Sequence, residues 1–412
     1  MNRPTPASKM VRIATALALA ILLGLRQTAS AADEHWVTTW GCGPQLTEER
    51  NLPPVPLAGN TLRQFVRSSI GGKVIRVRFS NLHGTAPVTI DSARIALAAG
   101  TGSAGTGEID PATDTALLFH GVTRTVIPPG EEVYSDLVTF DLPAVKEVGL
   151  SLHFGQISST SICGHPGSRI TSFIQTGSAA SKVELSGATK TDHWYLVTGI
   201  EVMADMSSHA IIAFGDSITD GRGSTTNGNT RWPDYLAARF VANAPTSKIA
   251  VANMGIGGNG VFGGLGPSGQ NRFQRDVLAQ NGARWVILFI GVNDIGGAAD
   301  GSGAAIAQKL IAAFTAFAEQ AHARNIRVCG ATITPFGGSS YDTADHESAR
   351  QTVNQWLRSN DVYDACLDFD AVVRDPANPA ALLPAYSSDH LHMTPAGYQA
   401  MANSIDLKLF DP

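Results

Sequence analysis

The arrangement of apolar runs changes near residue 205, and this change constrains the fold more than any other feature of the chain. From residue 206 onward, short apolar runs alternate with longer segments of helical periodicity. Alternating strands and helices are typical of a doubly wound parallel sheet. The predicted strands are 210–214, 248–253, 285–290, 327–334 and 366–369, and the predicted helices are 232–241, 304–324, 346–358 and 396–407.

The preceding segment has a different pattern, in which short runs rich in Val, Ile, Phe and Leu are separated by Gly, Pro, Asn or Asp. Such spacing predicts an all-β sandwich or jelly roll. Gly71-Gly72 indicates a hairpin turn between the first two strands. We therefore predict an accessory β-sandwich domain over residues 32–205 and an α/β domain over residues 206–412. The predicted strands of the first domain are 62–69, 74–81, 88–96, 137–142, 148–154 and 194–203.

The first 31 residues have the features of a secretory signal peptide. Basic residues precede the apolar run 13–25, and Ala29-Ser30-Ala31 provides a small-residue cleavage site. The apolar run is short for a membrane span, and no second such run follows. We predict a secreted protein, periplasmic or extracellular, that leaves the membrane after cleavage; an uncleaved N-terminal anchor is the alternative.

The charge balance argues against a polyanionic partner. The chain has 30 basic and 35 acidic residues, and four of the basic ones lie within residues 1–31. The predicted mature protein therefore has 26 basic and 35 acidic residues, a formal net charge of −9. Because nucleic-acid binding depends on basic surfaces, we predict no nucleic-acid partner.

The four cysteines, two in each half, leave two possibilities open. Export to an oxidising compartment permits disulfides, and the pairing Cys42–Cys163 and Cys329–Cys366 would keep each bridge within one half. The alternative is four buried thiols, since free cysteine packs as a small apolar residue.

Four polar or glycine-rich stretches in the second half are candidates for a functional site. The first three, 215–217, 253–259 and 291–294, each follow a predicted strand, and 389–392 precedes the last predicted helix. The carboxyl ends of parallel strands meet at one edge of an open sheet, where ligands bind. The sequence therefore predicts one site built from these stretches.

Together the stretches contain the groups that acyl transfer requires. Ser217 is the candidate nucleophile, His392 its general base, and Asp389 the carboxylate that orients the imidazole. The N–H groups of Ser217 and Gly258 and the side-chain amide of Asn293 are candidate donors to the oxyanion.

Several of these residues also have simpler interpretations. Gly-Asp-Ser alone is a common turn sequence, and Asn293 is suited to cap a helix. Gly257 competes with Gly258 as the donor. Asp389, His390 and His392 have a spacing found in metal sites, but no third histidine accompanies them, so we predict no metal.

All four stretches, in this order, resemble the four sequence blocks of the SGNH, or GDSL, hydrolase superfamily. The resemblance covers about 200 residues and implies a flavodoxin-like three-layer α/β/α fold that hydrolyses esters without a metal or other cofactor. It assigns Ser217 as nucleophile, Gly258 and Asn293 to the oxyanion hole, and Asp389 and His392 to the triad. One position departs from the family pattern, since Met393 replaces the proline that usually follows the histidine.

The first half resembles the β-domain that precedes the catalytic domain in a bacterial branch of secreted SGNH esterases, some of them similar to acetylxylan esterases. Residues 36–40, 62–67 and 77–81 carry this resemblance. It implies a secreted esterase acting on short acyl groups, in particular acetyl, on carbohydrate. Two alternatives stay open: a lipid-directed esterase, and an inactive carbohydrate-binding protein on a hydrolase fold.

Overall fold

The computed structural model describes residues 34–411. The predicted signal peptide therefore lies outside the described residues. Within residues 34–411, the structure contains no helix that is long and apolar enough to cross a membrane.

The chain is a mixed α/β protein whose N-terminal half is β-rich. Three antiparallel sheets, of five, seven and three strands, occupy this half. Their strands are β1 Glu34–Gly41, β2 Gln45–Leu46, β3 Asn60–Arg67, β4 Gly72–Ser80, β5 Val88–Leu97, β6 Thr115–Leu117, β7 Thr125–Ile127, β8 Glu132–Tyr134, β9 Val138–Leu142, β10 Glu147–Phe154, β11 Cys163–His165, β12 Ser172–Thr176, β13 Thr189–Thr191, β14 Trp194–Tyr195 and β15 Val197–Asp205. Short 3-10 helices cover Glu49–Asn51 and Gly102–Ala104.

The predicted hairpin at Gly71-Gly72 is wrong, because β3 and β4 belong to different sheets. Strand β3 pairs with β10 and β12, whereas β4 pairs with β8, β9 and β15. The chain crosses between the sheets at Ser69, whose backbone N–H donates to the carbonyl of Thr39 at 3.0 Å. Glycine is needed at position 71 because a Cβ there would collide with the carbonyl oxygen of Leu142.

The second half is built on a five-stranded parallel sheet. Its strands are β16 His209–Gly215, β17 Ile249–Gly255, β18 Ala283–Phe289, β19 Arg327–Ala331 and β20 Ala365–Leu367. Their order is β17-β16-β18-β19-β20, so the chain winds in opposite directions on the two sides of β16. Ligands of open parallel sheets bind at the carboxyl ends of the strands beside such a switch point. A short antiparallel pair, β21 Arg374–Asp375 and β22 Asn378–Leu382, lies outside this sheet.

Helices connect the parallel strands and pack in pairs. The helices are α1 Ser217–Asp220, α2 Trp232–Ala242, α3 Gly269–Phe273, α4 Val292–Gly296, α5 Gly303–His322, α6 Ala344–Ser359, α7 Phe369–Val373 and α8 Pro395–Ser404. A π-helix, Gln274–Leu278, continues α3, and 3-10 helices cover Ala244–Thr246, Pro384–Tyr386 and Leu407–Phe410. Helix α2 packs on α8, and α5 packs on α6.

The two halves pack directly against each other. Strand β1 lies beside β17 at the edge of the parallel sheet. The hydroxyl of Ser69 accepts the N–H of Val251 at 3.0 Å, and the guanidinium of Arg78 donates to the side-chain oxygen of Gln280 at 3.1 Å. Only residues 206–208 lie between β15 and β16. The β-rich half is therefore close enough to the parallel sheet to contribute to a site at its edge.

Of the two possibilities for the cysteines, the structure shows the second, since all four are free thiols. Cys366 pairs in register with Gly330, the residue after Cys329. Successive side chains of a strand point to opposite faces, so Cys329 and Cys366 project from opposite faces of the sheet. Cys42 contacts the carbonyl of Val197, while Cys163 contacts the hydroxyl of Ser80. Three of the four are buried, and Cys366 is half-buried.

Candidate active site

Ser217 lies at the point where β16 turns into the one-turn helix α1. Asp216 is the N-cap of α1, and its side chain accepts the N–H of Ile218 at 2.9 Å. Gly221 ends the helix in a left-handed conformation, with φ of 97°. This tight turn holds the Ser217 side chain at the carboxyl end of β16, where it is 6% exposed.

The last candidate stretch brings an imidazole to Ser217. The Oγ of Ser217 lies 2.8 Å from Nε2 of His392. On the other side of the ring, Nδ1 lies 2.7 Å from Oδ2 of Asp389. The second carboxylate oxygen of Asp389 accepts the backbone N–H groups of His392 at 2.8 Å and Leu391 at 3.1 Å. Asp389 therefore fixes both the ring and the backbone of His392.

The ionisation states of this pair suit proton transfer. Burial alone would raise the pKa of Asp389, but the hydrogen bonds from the His392 backbone and imidazole lower it to about 2. Burial lowers the pKa of His392, and Asp389 partly opposes this effect. A neutral imidazole beside an ionised carboxylate is the arrangement in which the histidine can accept a proton.

Backbone N–H groups of residues that line the cavity around Ser217 are candidate donors to a ligand. The structure shows no acceptor within residues 34–411 for the N–H groups of Ser217, Gly257 or Gly258. Gly258 has φ of 70°, a backbone conformation that favours glycine. Gly257 lies beside it and also lines the cavity around Ser217, so both glycines are near enough to contact a ligand.

Asn293 lies at the start of α4, beyond the carboxyl end of β18. Its amide nitrogen donates to the carbonyl of Asn259 at 2.9 Å, and its amide oxygen accepts the hydroxyl of Tyr341 at 2.9 Å. Because the Asn259 carbonyl can only accept, the NH₂ group must face it. The second amide hydrogen is left for a ligand.

Two further aspartates, Asp216 and Asp294, form hydrogen bonds to the backbone of the loops around the site. Burial raises the pKa of Asp216 to about 7, and its contact is with the α1 backbone. Asp294 accepts the N–H groups of Val261 at 2.8 Å and Phe262 at 3.0 Å. Asp294 therefore ties the loop after β17 to the start of α4.

A buried network of ionisable side chains connects the site to the β-rich half. No sequence motif identifies its residues. Asp220, the last residue of α1, accepts from His165 Nε2 at 2.9 Å and from Arg169 Nη1 at 3.1 Å. His165 Nδ1 lies 3.0 Å from the carbonyl of Gly43. A Cβ at Gly167 would collide with the Asp220 carboxylate. The loop after β11 is therefore packed against the helix that carries Ser217.

These groups surround one open cavity of about 430 Å³. Ser217, Gly258, Asn293 and His392 all line it, and Asp389 lies behind the imidazole. The structure thus brings together all of the predicted site residues. Sequence reasoning missed Tyr341, which follows a loop without a recognisable motif, and the residues from the β-rich half. The latter are Gln45, Glu48, Arg50, Asn51, Pro166, Gly167 and Arg169.

His390 is not among the residues that line the cavity around Ser217. It has φ of 63°, a left-handed conformation that lets the turn fold back on Asp389. Its ring packs near the backbone of Gly338. Over the part of the chain that the structure describes, no group of three or more His, Cys, Asp and Glu side chains could hold a metal ion.

A parallel sheet with a serine, a histidine and an aspartate in contact at its carboxyl edge is typical of a hydrolase. Comparison with known families indicates the class of hydrolase. Residues 213–400 match the GDSL-like Lipase/Acylhydrolase family. This part of the chain belongs to the SGNH/GDSL hydrolase superfamily, and the protein is a carboxylic ester hydrolase. A search of curated protein sequences found no significant match.

Several solved structures are similar to about half of the chain. The acetylxylan esterase Axe2 from Geobacillus stearothermophilus is 22% identical over 49% of this chain and 94% of its own, with a TM-score of 0.38. A carbohydrate acetylesterase family member from Sinorhizobium meliloti is 14% identical over 48% of this chain and 94% of its own, with a TM-score of 0.37. A GDSL-like lipase from Bacteroides thetaiotaomicron is 19% identical over 49% of this chain and 87% of its own, with a TM-score of 0.34.

Proposed function

We propose that the protein is a secreted serine esterase that removes short acyl groups, in particular acetyl, from carbohydrate. Ser217, His392 and Asp389 form the catalytic triad of a three-layer α/β/α domain over residues 206–412, and a β-sandwich domain covers residues 32–205. The observation that carries this proposal is the continuous contact from Ser217 Oγ through His392 to Asp389, at 2.8 and 2.7 Å.

The reaction follows from these positions. Ser217 Oγ attacks the ester carbonyl carbon while His392 Nε2 takes the hydroxyl proton. The C–O bond to the alcohol then breaks, and Nε2 returns the proton to the departing oxygen. Water, deprotonated by His392, then attacks the acyl-Ser217 carbonyl. The bond from that carbon to Ser217 Oγ breaks, Nε2 returns its proton to Oγ, and the acid is released. Asp389 holds the ring orientation and stabilises the imidazolium during both acylation and deacylation.

Charge on the carbonyl oxygen would be stabilised by three donors. These are the N–H groups of Ser217 and Gly258 and the free amide hydrogen of Asn293. Such preorganised donors are effective because they need no reorientation when the charge forms. Tyr341 acts through Asn293, since its hydroxyl holds the amide oxygen and so directs the nitrogen.

The lining of the cavity suits a substrate with a small acyl group on a polar alcohol. Its aliphatic lining residues are Pro166, Leu265 and Leu391, and most of the others are polar or charged. A long acyl chain needs an extended apolar surface, and sugar hydroxyls need hydrogen-bonding groups. A lipid-directed esterase is therefore the less favoured function.

A p-nitrophenyl ester series from acetate to palmitate tests the acyl preference. We expect kcat/KM to be greatest for acetate or propionate and to fall as the chain lengthens, because the cavity lacks an apolar extension. Acetate release from acetylated xylan, acetylated pectin and an acetylated lipid then tests the alcohol. A maximum at octanoate or longer would replace the carbohydrate proposal with the lipid one.

The oxyanion site predicts a specific relation between Asn293 and Tyr341. Asn293→Ala should lower kcat about 10²–10³-fold, the usual effect of losing one oxyanion donor. Tyr341→Phe should lower kcat less, because the amide stays in place but loses its anchor. The double variant should be no slower than Asn293→Ala, since Tyr341 acts through the amide. Multiplying effects in the double variant would show that Tyr341 acts independently.

A further inference from the structure

The cavity around Ser217 carries more positive than negative charge, although the protein as a whole is acidic. Three arginines line it, Arg50, Arg169 and Arg222, together with two carboxylates. Each carboxylate already has donors. Glu48 accepts from the side chains of Gln45 at 2.6 Å and Asn51 at 2.9 Å, and Asp220 is held as described above. Asp220 is ion-paired with Arg169, whereas Arg50 and Arg222 have no ion pair within residues 34–411. These two arginines outnumber the one carboxylate without a cationic partner, Glu48, so the excess charge in the cavity is cationic.

Arg169 is fixed in place by the catalytic half of the chain. Its Nη1 donates to the side chain and the backbone carbonyl of Asp220, at 3.1 and 3.2 Å, and to the carbonyl of Gly167. Nε and Nη2 of Arg169 make no hydrogen bond within residues 34–411, and neither atom is buried. One edge of a preorganised guanidinium thus faces the cavity.

Arg222 follows α1 directly and is held by its backbone. Its N–H donates to the carbonyl of Ser217 at 2.9 Å, and its carbonyl accepts the hydroxyl of Tyr398 at 2.6 Å. The side chain is exposed and has no ion pair within the described part of the chain. Its position is therefore fixed at the base while its charge is available to a ligand.

Arg222 lies on the imidazole side of the cavity, and Arg169 lies at the end of α1, where it contacts Asp220. Their charges reach His392 and lower its pKa. A Cβ on Gly223, next to Arg222, would collide with the Met393 carbonyl and lie 3.8 Å from Cβ of His392. Because His392 gives its proton to the departing oxygen, this side of the cavity faces the alcohol part of the ester.

From this placement we infer that the alcohol part of the substrate carries a carboxylate, bound by Arg169 and Arg222, so that the substrate is an acylated acidic sugar of the uronic-acid type. This inference rests on the proposed ester hydrolysis at Ser217. The planar guanidinium matches a carboxylate with two parallel N–H···O contacts. It also gives the β-rich half a role, because Arg169 belongs to that half and determines which alcohol is accepted.

The test compares two esters that differ only in charge. Methyl galactosiduronate and methyl galactoside, acetylated at the same hydroxyl, are given to the enzyme at low ionic strength. We expect kcat/KM to be about tenfold or more higher for the uronate, the effect of one charge-assisted contact. The preference should shrink as NaCl is added, because salt screens exposed charges. Equal rates, or faster hydrolysis of the neutral ester, would overturn the inference.

Arg222→Gln should reduce the uronate-to-neutral ratio about fivefold or more. Arg324→Gln is the matched control, since Arg324 is exposed, has no ion pair within residues 34–411 and precedes the amino end of β19. It should leave the ratio unchanged. An unchanged ratio in Arg222→Gln would remove Arg222 from the site and with it the inference.

Competitive inhibition of p-nitrophenyl acetate hydrolysis separates this inference from the proposed function. Unacetylated methyl galactosiduronate should inhibit at about tenfold lower concentration than methyl galactoside. This measurement holds even if neither acetylated sugar is hydrolysed, an outcome that would contradict only the carbohydrate-esterase function. Inhibition by glycerol 3-phosphate but not by the uronate would indicate a phosphate headgroup and overturn the inference.

Discussion

Replacing Ser217 with alanine should lower kcat for p-nitrophenyl acetate by about 10⁴–10⁶-fold, the usual effect of removing the nucleophile of a serine hydrolase. Without Oγ no acyl-enzyme forms, and what is left is water attack assisted by the oxyanion donors. Steady-state kinetics with mass spectrometry of the acylated intermediate measures both effects. The wild type should show an adduct on Ser217, and the variant should show none.

The fold and the shape of the cavity should be unchanged in Ser217→Ala. Ser217 contributes one small side chain, and the turn around it is held by Asp216 and Gly221. Thermal unfolding of Ser217→Ala should therefore match that of the wild type. Wild-type rates in the variant would contradict the assigned nucleophile, and an inactive wild type would favour a binding protein on a hydrolase fold.

Replacing Asp389 with asparagine should lower kcat by about 10⁴-fold, as in other triads that lose their carboxylate. Asparagine is similar in shape, but its amide cannot stabilise the imidazolium and permits the wrong tautomer. It also loses the charge that raises the pKa of His392. The main loss should therefore be in kcat, with a smaller change in KM.

The acid limb of the pH profile provides a second readout. Only neutral His392 can take the Ser217 proton, so kcat/KM falls as the pH drops through the pKa of His392. Burial lowers this pKa below its ordinary value, so the wild type should keep activity at pH values where an ordinary histidine is already protonated. In Asp389→Asn the pKa falls further, and the limb should move to still lower pH.

The exposed pair Asp364–His322 is a matched control for this variant. Its atoms lie 2.9 Å apart, but the pair is at the amino end of the parallel sheet. Asp364→Asn should leave kcat and the pH profile unchanged. A similar loss in both variants would attribute the effect to folding rather than to the triad.

Much of the second half was predictable because its local patterns are strong. Each predicted parallel strand overlaps an observed one, and residue 217 was placed correctly just beyond β16. The pairing of strands in the first half was not predictable. The sequence of β3 and β4 resembles that of a hairpin, but the two strands belong to different sheets. A turn sequence reports only local backbone preference, while sheet membership depends on which distant strands bury each face.

The sequence by itself determined which residue types are present for ester hydrolysis and in what order, because the chemistry depends on a few short blocks that follow strand ends. Only the tertiary structure decided what surrounds them. Tyr341 reaches Asn293 across 48 positions of sequence, and Asp220 meets Arg169 across 51. Such contacts join segments that have no common pattern, since packing of the whole chain, rather than local propensity, sets the distance between them.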